Sequence, residues 1–327
     1  MKLLVIGDPN RVEKYTPDMP IVKKVETVVM QRGSSDDDII AAAGDADFIV
    51  ADAVSPVSAS LMAKMPNLKL VHSEGVGYNA IDVEAARRQG VCVCNNAGVN
   101  AGAVAEQAVL LMLACLRHLL EGDEAVRRGC QIQVKERLMV DGIRELGDCR
   151  VGLIGLGAIA VETAKRLNAF GCEVFYWNHR RRSSEVEETL GVSYLTLEEL
   201  VSTCDVVSRH VPVTPETNGM VDAGFLASMK SGAILINTAR GEIVDQKALA
   251  EALESGSIGA AGLDTLSPEP VPIDHPLVTL NGEAALRVVL SPHIGGVTAG
   301  MFRRAWRTIW ENIERVSRGD VPVNIVS

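Results

Sequence analysis

The sequence predicts an α/β protein built on doubly wound parallel sheets, and three observations carry this. Short aliphatic runs alternate with helical segments of two to three turns along most of the chain. Apolar residues make up 47% of the sequence but aromatics only 4%, so the core must be built from Ala, Val, Leu and Ile, which suits a sheet buried on both faces. The length of 327 residues suits two domains at about 150 residues each.

Residues 2–6 (KLLVI) form the first expected strand, ended by Gly7 and Asp8. Residues 36–43 read as a short helix with an acidic first turn, and 48–51 (FIVA) as a strand. A helix over 58–65 stops at Pro66, ahead of a strand over 68–72 (LKLVH). A helix over 83–89 ends at Gly90, ahead of a strand over 91–94. A long helix is expected from about 101 to 122, with Asn100 as its cap. Val104, Ala108, Leu111, Met112 and Cys115 lie at helical spacing, and Leu113, Leu116 and Leu119 widen the apolar face. Such a helix is buried inside a domain or in a subunit contact, and the sequence leaves both open.

The second series is more regular. A strand over 150–154 (RVGLI) leads into a helix over 158–170 stopped by Gly171, and 172–177 (CEVFYW) is the next strand. Helix 197–203, strand 206–211, helix 223–229, strand 234–237 (ILIN), helix 246–254 and strand 260–263 follow. A Pro-rich loop over 268–276 precedes a strand over 287–290 (RVVL). The last helix, 298–318, carries Trp306 and Trp310 four apart on one face.

Charge narrows the function. Lys and Arg number 32 against 42 Asp and Glu, a net charge of −10, which argues against nucleic acid or an anionic membrane as the partner. The most apolar helical stretch, 107–116, is bounded by Glu106 and Arg117 and falls short of the ~20 residues a span needs. The N-terminus MKLLVIGD reads as a strand rather than a leader, so a cytoplasmic protein is expected. Seven cysteines, odd in number and scattered, fit reduced thiols. Cys92 and Cys94 point to one face of a predicted strand, but no two further soft ligands lie nearby. They read as packed small hydrophobes, and no metal is expected.

The strand over 151–154 runs into Gly155-Leu156-Gly157-Ala158-Ile159-Ala160, a G-x-G-x-x-A turn between strand and helix. Gly155 permits the tight turn, Gly157 lets backbone N–H groups approach a pyrophosphate at the helix N-terminus, and Ala160 is small enough for helix-on-strand packing. This context points to a dinucleotide. At the end of the next strand, where NAD-binding chains usually carry Asp or Glu, stands Asn178, followed by His179, Arg180, Arg181 and Arg182. Guanidinium groups attract a 2′-phosphate and a carboxylate repels it, so NADPH is the expected cofactor, with NAD as the alternative. A solvated basic loop would look the same in sequence.

Ligands of open α/β sheets sit at the carboxyl ends of the strands. Three chemical residues are expected there: Arg240 after ILIN, Glu269 after AAGL, and His293 after RVVL. Arg240 offers a planar fork to a carboxylate, His293 changes charge near neutral pH and can deliver a proton, and Glu269 can orient the imidazole and favour its protonated form. Singly, each has a plainer reading: a structural ion pair for Arg240, surface for Glu269, a loop cap for His293. Convergence on one predicted cleft favours reduction of a 2-keto acid.

Longer blocks surround these residues: GVGYNAID at 75–82, VAEQAVLLML at 104–113, GLGAIA at 155–160, HVPVTPET at 210–217, INTARGEIVD at 236–245, AAGLDTLSPEP at 260–270 and SPHIGG at 291–296. Together they resemble the D-isomer-specific 2-hydroxyacid dehydrogenases over roughly residues 50–310, in the family's order. SPEP and the basic loop look most like the glyoxylate/hydroxypyruvate reductase branch. The resemblance implies that Arg240, Glu269 and His293 form the catalytic trio, and that the N–H groups of Val76 and Gly77 help hold the substrate carboxylate. It implies cofactor contacts from Gly155, Gly157, Ala158, Ile159, Asn178, His179, Arg180, His210, Val211, Pro212, Thr217, Thr238, Ala239, Asp264 and Gly295. It further implies a Rossmann cofactor domain, residues 100–296, inserted into a flavodoxin-like substrate domain of residues 1–99 and 297–327, with a cleft that closes on substrate. In the family the long helix near 101–121 lies in a homodimer interface.

The chain departs from the pattern in two places. Asn178 replaces the common Asp, and Arg209 precedes His210 where the family usually has an apolar residue. The small regulatory domain of some phosphoglycerate dehydrogenases is not expected. Two other functions compete with a reductase of small 2-keto acids. One is an NAD-dependent dehydrogenase of a bulkier or phosphorylated hydroxy acid, which would want a basic cluster in the first domain. The other is a dinucleotide-sensing protein without activity, which would want a partner-binding arm.

Overall fold

The short aliphatic runs pair in parallel with their neighbours, and helices cover both faces of the central strands. The computed structural model describes residues 1–326 and divides into two units, Met1–Asn100 with the segment from Val297, and Ala101–Gly296. The first holds β1 (Lys2–Ile6), β2 (Glu26–Met30), β3 (Phe48–Ala51), β4 (Leu70–Ser73) and β5 (Cys92–Cys94) in the order β2-β1-β3-β4-β5. That is the flavodoxin-like order. The C-terminal helix Ala299–Arg318 covers one face of this sheet, setting Trp306, Ile309, Trp310 and Ile313 against Leu3, Val5, Phe48 and Leu70. The i, i+3, i+4, i+7 spacing of the four makes the apolar stripe.

One buried polar contact under this helix gives the unit a pH dependence. The Nδ1 atom of His72 lies 2.8 Å from the carbonyl oxygen of Ser73, and Asn312 Nδ2 stands 3.1 Å from Nε2. A carbonyl only accepts, so Nδ1 carries the proton and Nε2 accepts. Burial pushes the His72 pKa down to about 4, below the 6.5 of an open chain. The unfolded chain therefore takes up a proton that the folded one refuses. The stabilisation is complete above about pH 6.5 and is lost as pH falls towards 4, a change of roughly 3 kcal/mol. Urea midpoints at pH 7 and pH 5 should converge in His72→Gln relative to the parent; equal pH dependence in both would refute the assignment.

The second unit holds β6 (Arg150–Ile154), β7 (Glu173–Trp177), β8 (Ser193–Tyr194), β9 (Val206–Arg209), β10 (Ile234–Asn237), β11 (Ala260–Leu263) and β12 (Val288–Leu290). Their order is β12-β11-β10-β9-β6-β7-β8, a Rossmann sheet extended by one strand. Helices Ala101–Leu116 and Ala158–Phe170 cover one face; Leu197–Thr203, Ala223–Ser228 and Gln246–Ser255 cover the other. The order reverses between β6 and β9, which is where such sheets bind ligands.

Several elements differ from the sequence reading. The expected helix 101–122 is two helices, Ala101–Leu116 and Leu119–Arg127, bent by 58°. His118 between them adopts a left-handed conformation with φ 50°, which a continuing helix forbids. The expected strand 206–211 ends at Arg209, so His210 and Val211 leave the sheet. No sequence signal marks β2, an edge strand with half-exposed residues, or helix Gln131–Asp141, whose one buried residue, Leu138, sets no period. Helices Pro9–Tyr15 and Ser184–Leu190 and the two-residue β8 were also unread. All seven cysteines are free thiols. Among the described residues no single helix is long and apolar enough to cross a membrane.

Candidate active site

The turn after β6 is shaped by two requirements on its glycines. Gly155 has φ +94°, and a Cβ there would stand 2.6 Å from the carbonyl oxygen of His210 and 2.9 Å from Val211 Cγ1. Only glycine meets both the conformation and the approach. Gly157 caps the 13-residue helix Ala158–Phe170 without a side-chain bond, and a Cβ added to it would meet nothing within 4 Å. Among the described residues the amides of Gly157, Ala158 and Ile159 have no hydrogen-bond partner. Unsatisfied donors at the positive end of a helix dipole, beneath open space, fit a pyrophosphate. Ala160 is fully buried.

The basic loop after β7 is less free than its sequence suggests. Arg181 makes a two-pronged pair with Glu187, 2.9 Å on each arm, and its guanidinium lies over Tyr194. Arg181 and the Tyr176 hydroxyl together hold the Glu187 carboxyl down at about 2. Arg182 donates from Nη2 to the carbonyl of Leu156 in the glycine turn, at 3.0 Å. Two of the three guanidiniums are therefore structural, and Arg180 is the one without a side-chain partner among the described residues. Asn178 donates to the carbonyl of Arg180 at 3.0 Å, and His179 packs against Trp177 with ring centroids 5.0 Å apart.

After β9, His210 is half-buried with Nε2 3.0 Å from Ser208 Oγ; burial and the charge of Arg209 push its pKa down to about 4. Thr217 donates to the Pro212 carbonyl at 2.6 Å and accepts from the Thr214 amide at 2.7 Å, closing the 212–217 loop.

The three chemical residues lie on the loops after β10, β11 and β12, three neighbours in the sheet. His293 Nδ1 stands 3.0 and 2.9 Å from the two carboxylate oxygens of Glu269. A carboxylate accepts, so Nδ1 donates, and Nε2 has no partner among the described residues. His293 has φ 55°, in the left-handed region, a strain that surrounding bonds must hold. Asp264 provides them. Its backbone oxygen accepts from the His293 amide at 2.8 Å. Its buried carboxylate accepts from Ser291 Oγ at 2.5 Å and from the amides of Ile294 and Gly295 at 3.0 and 2.8 Å.

Arg240 is exposed, and its Nη1 donates to the carbonyl of Ala239 at 2.7 Å. Its turn is stapled by Asn237, whose side chain accepts from the Ala239 amide at 3.1 Å and donates to the Arg240 carbonyl at 2.8 Å. The buried hydroxyl of Thr238 has no partner among the described residues. The structure thus brings Glu269 and His293 into contact and sets Arg240 on the adjoining loop of the same edge. In the first unit, the amides of Val76 and Gly77 likewise have no partner among the described residues. Their carbonyls accept from Asn95 Nδ2 and Ser73 Oγ at 2.8 and 2.5 Å.

Sequence reasoning missed three positioning residues. Besides Asn237 there is Gln246, which accepts from the Ser267 amide at 3.2 Å and donates to its carbonyl at 3.0 Å, holding the start of the Glu269 loop. Gly241 is the third, pressed against Leu266 and Ser267. The Asp264 bonds carry a prediction: Asp264→Asn turns an amide NH₂ towards donors and should cost roughly 1–3 kcal/mol in urea unfolding. An unchanged midpoint would mean that these bonds do not hold the His293 loop.

Residues 109–295 match the family model for the D-isomer specific 2-hydroxyacid dehydrogenase, NAD binding domain. A glyoxylate reductase of Korarchaeum cryptofilum is 37% identical over 289 residues, 88% of this chain and 85% of that protein. A D-3-phosphoglycerate dehydrogenase of Methanocaldococcus jannaschii is 35% identical over 328 residues, 100% of this chain and 60% of the longer relative. Among solved structures, D-lactate dehydrogenase with NAD+ from Lactobacillus jensenii aligns over 100% of both chains with a TM-score of 0.86 at 25% identity. The matched span contains the glycine turn and the loops of Arg240, Glu269 and His293, and the chain belongs to the D-isomer-specific 2-hydroxyacid dehydrogenases.

Proposed function

We propose that this protein reduces a small 2-keto acid of the glyoxylate or hydroxypyruvate kind to the D-2-hydroxy acid, with NADPH preferred over NADH. The observation that carries the reading is the His293–Glu269 pair on the sheet edge that also bears Arg240 and the glycine turn. When bound, the reduced nicotinamide supplies the hydride. His293 gives the proton from Nε2 to the carbonyl oxygen, and Glu269 fixes the imidazole through Nδ1. Arg240 binds the carboxylate, and in this reading the second unit takes the dinucleotide.

Two features support NADPH: no carboxylate at position 178, and an unpartnered Arg180 beside it. Arg180→Ala should lower kcat/KM for NADPH by roughly 10- to 150-fold, the worth of one charged hydrogen bond, and leave that for NADH nearly unchanged. Equal losses with both cofactors would sink the assignment.

The reading as a whole is tested by absorbance loss at 340 nm with a panel of 2-keto acids and both reduced cofactors. Glyoxylate and hydroxypyruvate should be the best substrates. No turnover of any keto acid would refute it. The phosphoglycerate dehydrogenase relatives, 35% and 36% identical, give a second reading, a phosphorylated hydroxy acid, so 3-phosphohydroxypyruvate belongs in the panel. A homodimer is also proposed, supported by exposed Leu110, Leu119, Val126, Ile132, Met139 and Val140 on the helices from Ala101 to Asp141. Sedimentation at micromolar concentration should give twice the monomer mass.

A further inference from the structure

Arg209 ends β9 fully buried, and its Nε, Nη1 and Nη2 all have no hydrogen-bond partner among the described residues. The guanidinium lies over the ring of Phe225, with Cζ 5.3 Å from its centroid. A desolvated cation–π contact is worth about 2 kcal/mol, less than the several kcal/mol that burying an unpaired ion costs. Burial lowers the pKa to about 9, which still leaves the group charged at neutral pH. Elsewhere in the chain partly buried arginines have carboxylate partners: Arg11 with Glu74 at 2.9 Å, Arg166 with Glu162 at 2.8 Å. A leucine would satisfy the apolar surroundings of Arg209 better. The charge therefore needs a counter-ion from outside the unit's own side chains.

Its place in the sheet says which. Arg209 is the register partner of Ile154, the residue before Gly155, and of Asn237, which staples the Arg240 turn. Parallel strands lie about 4.8 Å apart, so the Arg209 backbone stands within one arginine length of the glycine turn. The two residues after it, His210 and Val211, are those that pack on Gly155. The 2′-phosphate position proposed at Arg180 is farther off, beyond β6 at the end of β7.

We infer that Arg209 is a phosphate anchor of the dinucleotide site, its guanidinium swinging from Phe225 to pair with the diphosphate bridge beside the glycine turn. This rests on the dinucleotide reading proposed above. The interaction would add to the Gly157–Ile159 amides, and would act alike on NADH, NADPH and ADP, which share the diphosphate.

Calorimetric titration of Arg209→Leu tests it without turnover. ADP, NADH and NADPH should each bind roughly 10- to 150-fold more weakly than to the parent, the loss expected of one charged hydrogen bond, while adenosine binding stays unchanged. The ligand-free variant should melt at or above the parent temperature, because an unpaired buried charge has been removed. Arg209→Lys, which keeps the charge, should recover part of the ADP affinity and guards against a folding defect peculiar to leucine. Unchanged ADP affinity in Arg209→Leu would overturn the anchor, as would a loss confined to NADPH or a lowered melting temperature with binding intact. A parent chain that binds neither ADP nor NADPH would instead overturn the dinucleotide reading itself.

Discussion

His293→Asn should lower kcat by roughly 10²–10⁴-fold while leaving NADPH affinity and stability close to the parent. The choice of asparagine matters. His293 sits at φ 55°, a conformation that asparagine tolerates better than most side chains. Its amide bond to the Asp264 carbonyl is a backbone contact and survives the change. Alanine would add strain to the loss of chemistry and confuse the two. Asparagine removes the imidazole and little else. A histidine that merely caps its loop would be replaced at small cost, so undiminished turnover would remove His293 from the mechanism. Glu269→Gln is the companion for a positioning role. It keeps an oxygen to accept from Nδ1 but removes the charge, so the pH profile of kcat should move with the imidazole while NADPH affinity holds. A profile identical to the parent would leave Glu269 without a part in orienting His293.

The parts of the site that were legible in the sequence are those fixed by chain-local rules. A strand followed at once by Gly-x-Gly and a helix start can be read from ten residues, because the turn's conformation and the helix dipole are local. Arg240, Glu269 and His293 were legible because each follows an aliphatic run, and parallel sheets carry the ends of such runs to one edge. What stayed hidden depends on contacts between distant segments. The two-pronged pair between Arg181 and Glu187 withdraws one of three arginines from the expected phosphate site, and nothing in RRR distinguishes the middle one. Asp264 looks like one more cofactor contact in AAGLDT, yet its carboxylate closes a loop 27 to 31 residues away. Arg209 was visible as a departure, but its burial follows from the sheet order that places β9 in the interior. The helix break at His118 was masked by the apolar run on either side of it.

Gly241→Ala should reduce kcat/KM by about 10²-fold or more, with the glycine cradle unharmed. A Cβ at Gly241 would stand 2.1 Å from the carbonyl carbon of Leu266, 2.2 Å from its oxygen and 2.5 Å from the Ser267 nitrogen. All three atoms are backbone, so no side chain can rotate out of the way. The Ser267 peptide is held from its other edge by Gln246. The added methyl group must therefore push the turn at Gly241–Ile243 away from the segment 266–267 by about an ångström to restore van der Waals contact. Arg240 immediately precedes one side of that contact and Glu269 follows the other by two residues, so the group proposed to bind the carboxylate and the pair proposed to deliver the proton are displaced relative to each other. Misplacement of that size costs about 10²-fold when reacting groups must meet in one geometry. Overpacking should also cost roughly 1–3 kcal/mol of stability. The turn at Gly155 follows β6, separated from β10 by β9, so ADP should bind the variant as it binds the parent. Full activity in Gly241→Ala would mean that the Arg240 and Glu269 loops tolerate independent movement, and the proposed division of labour between them would fail.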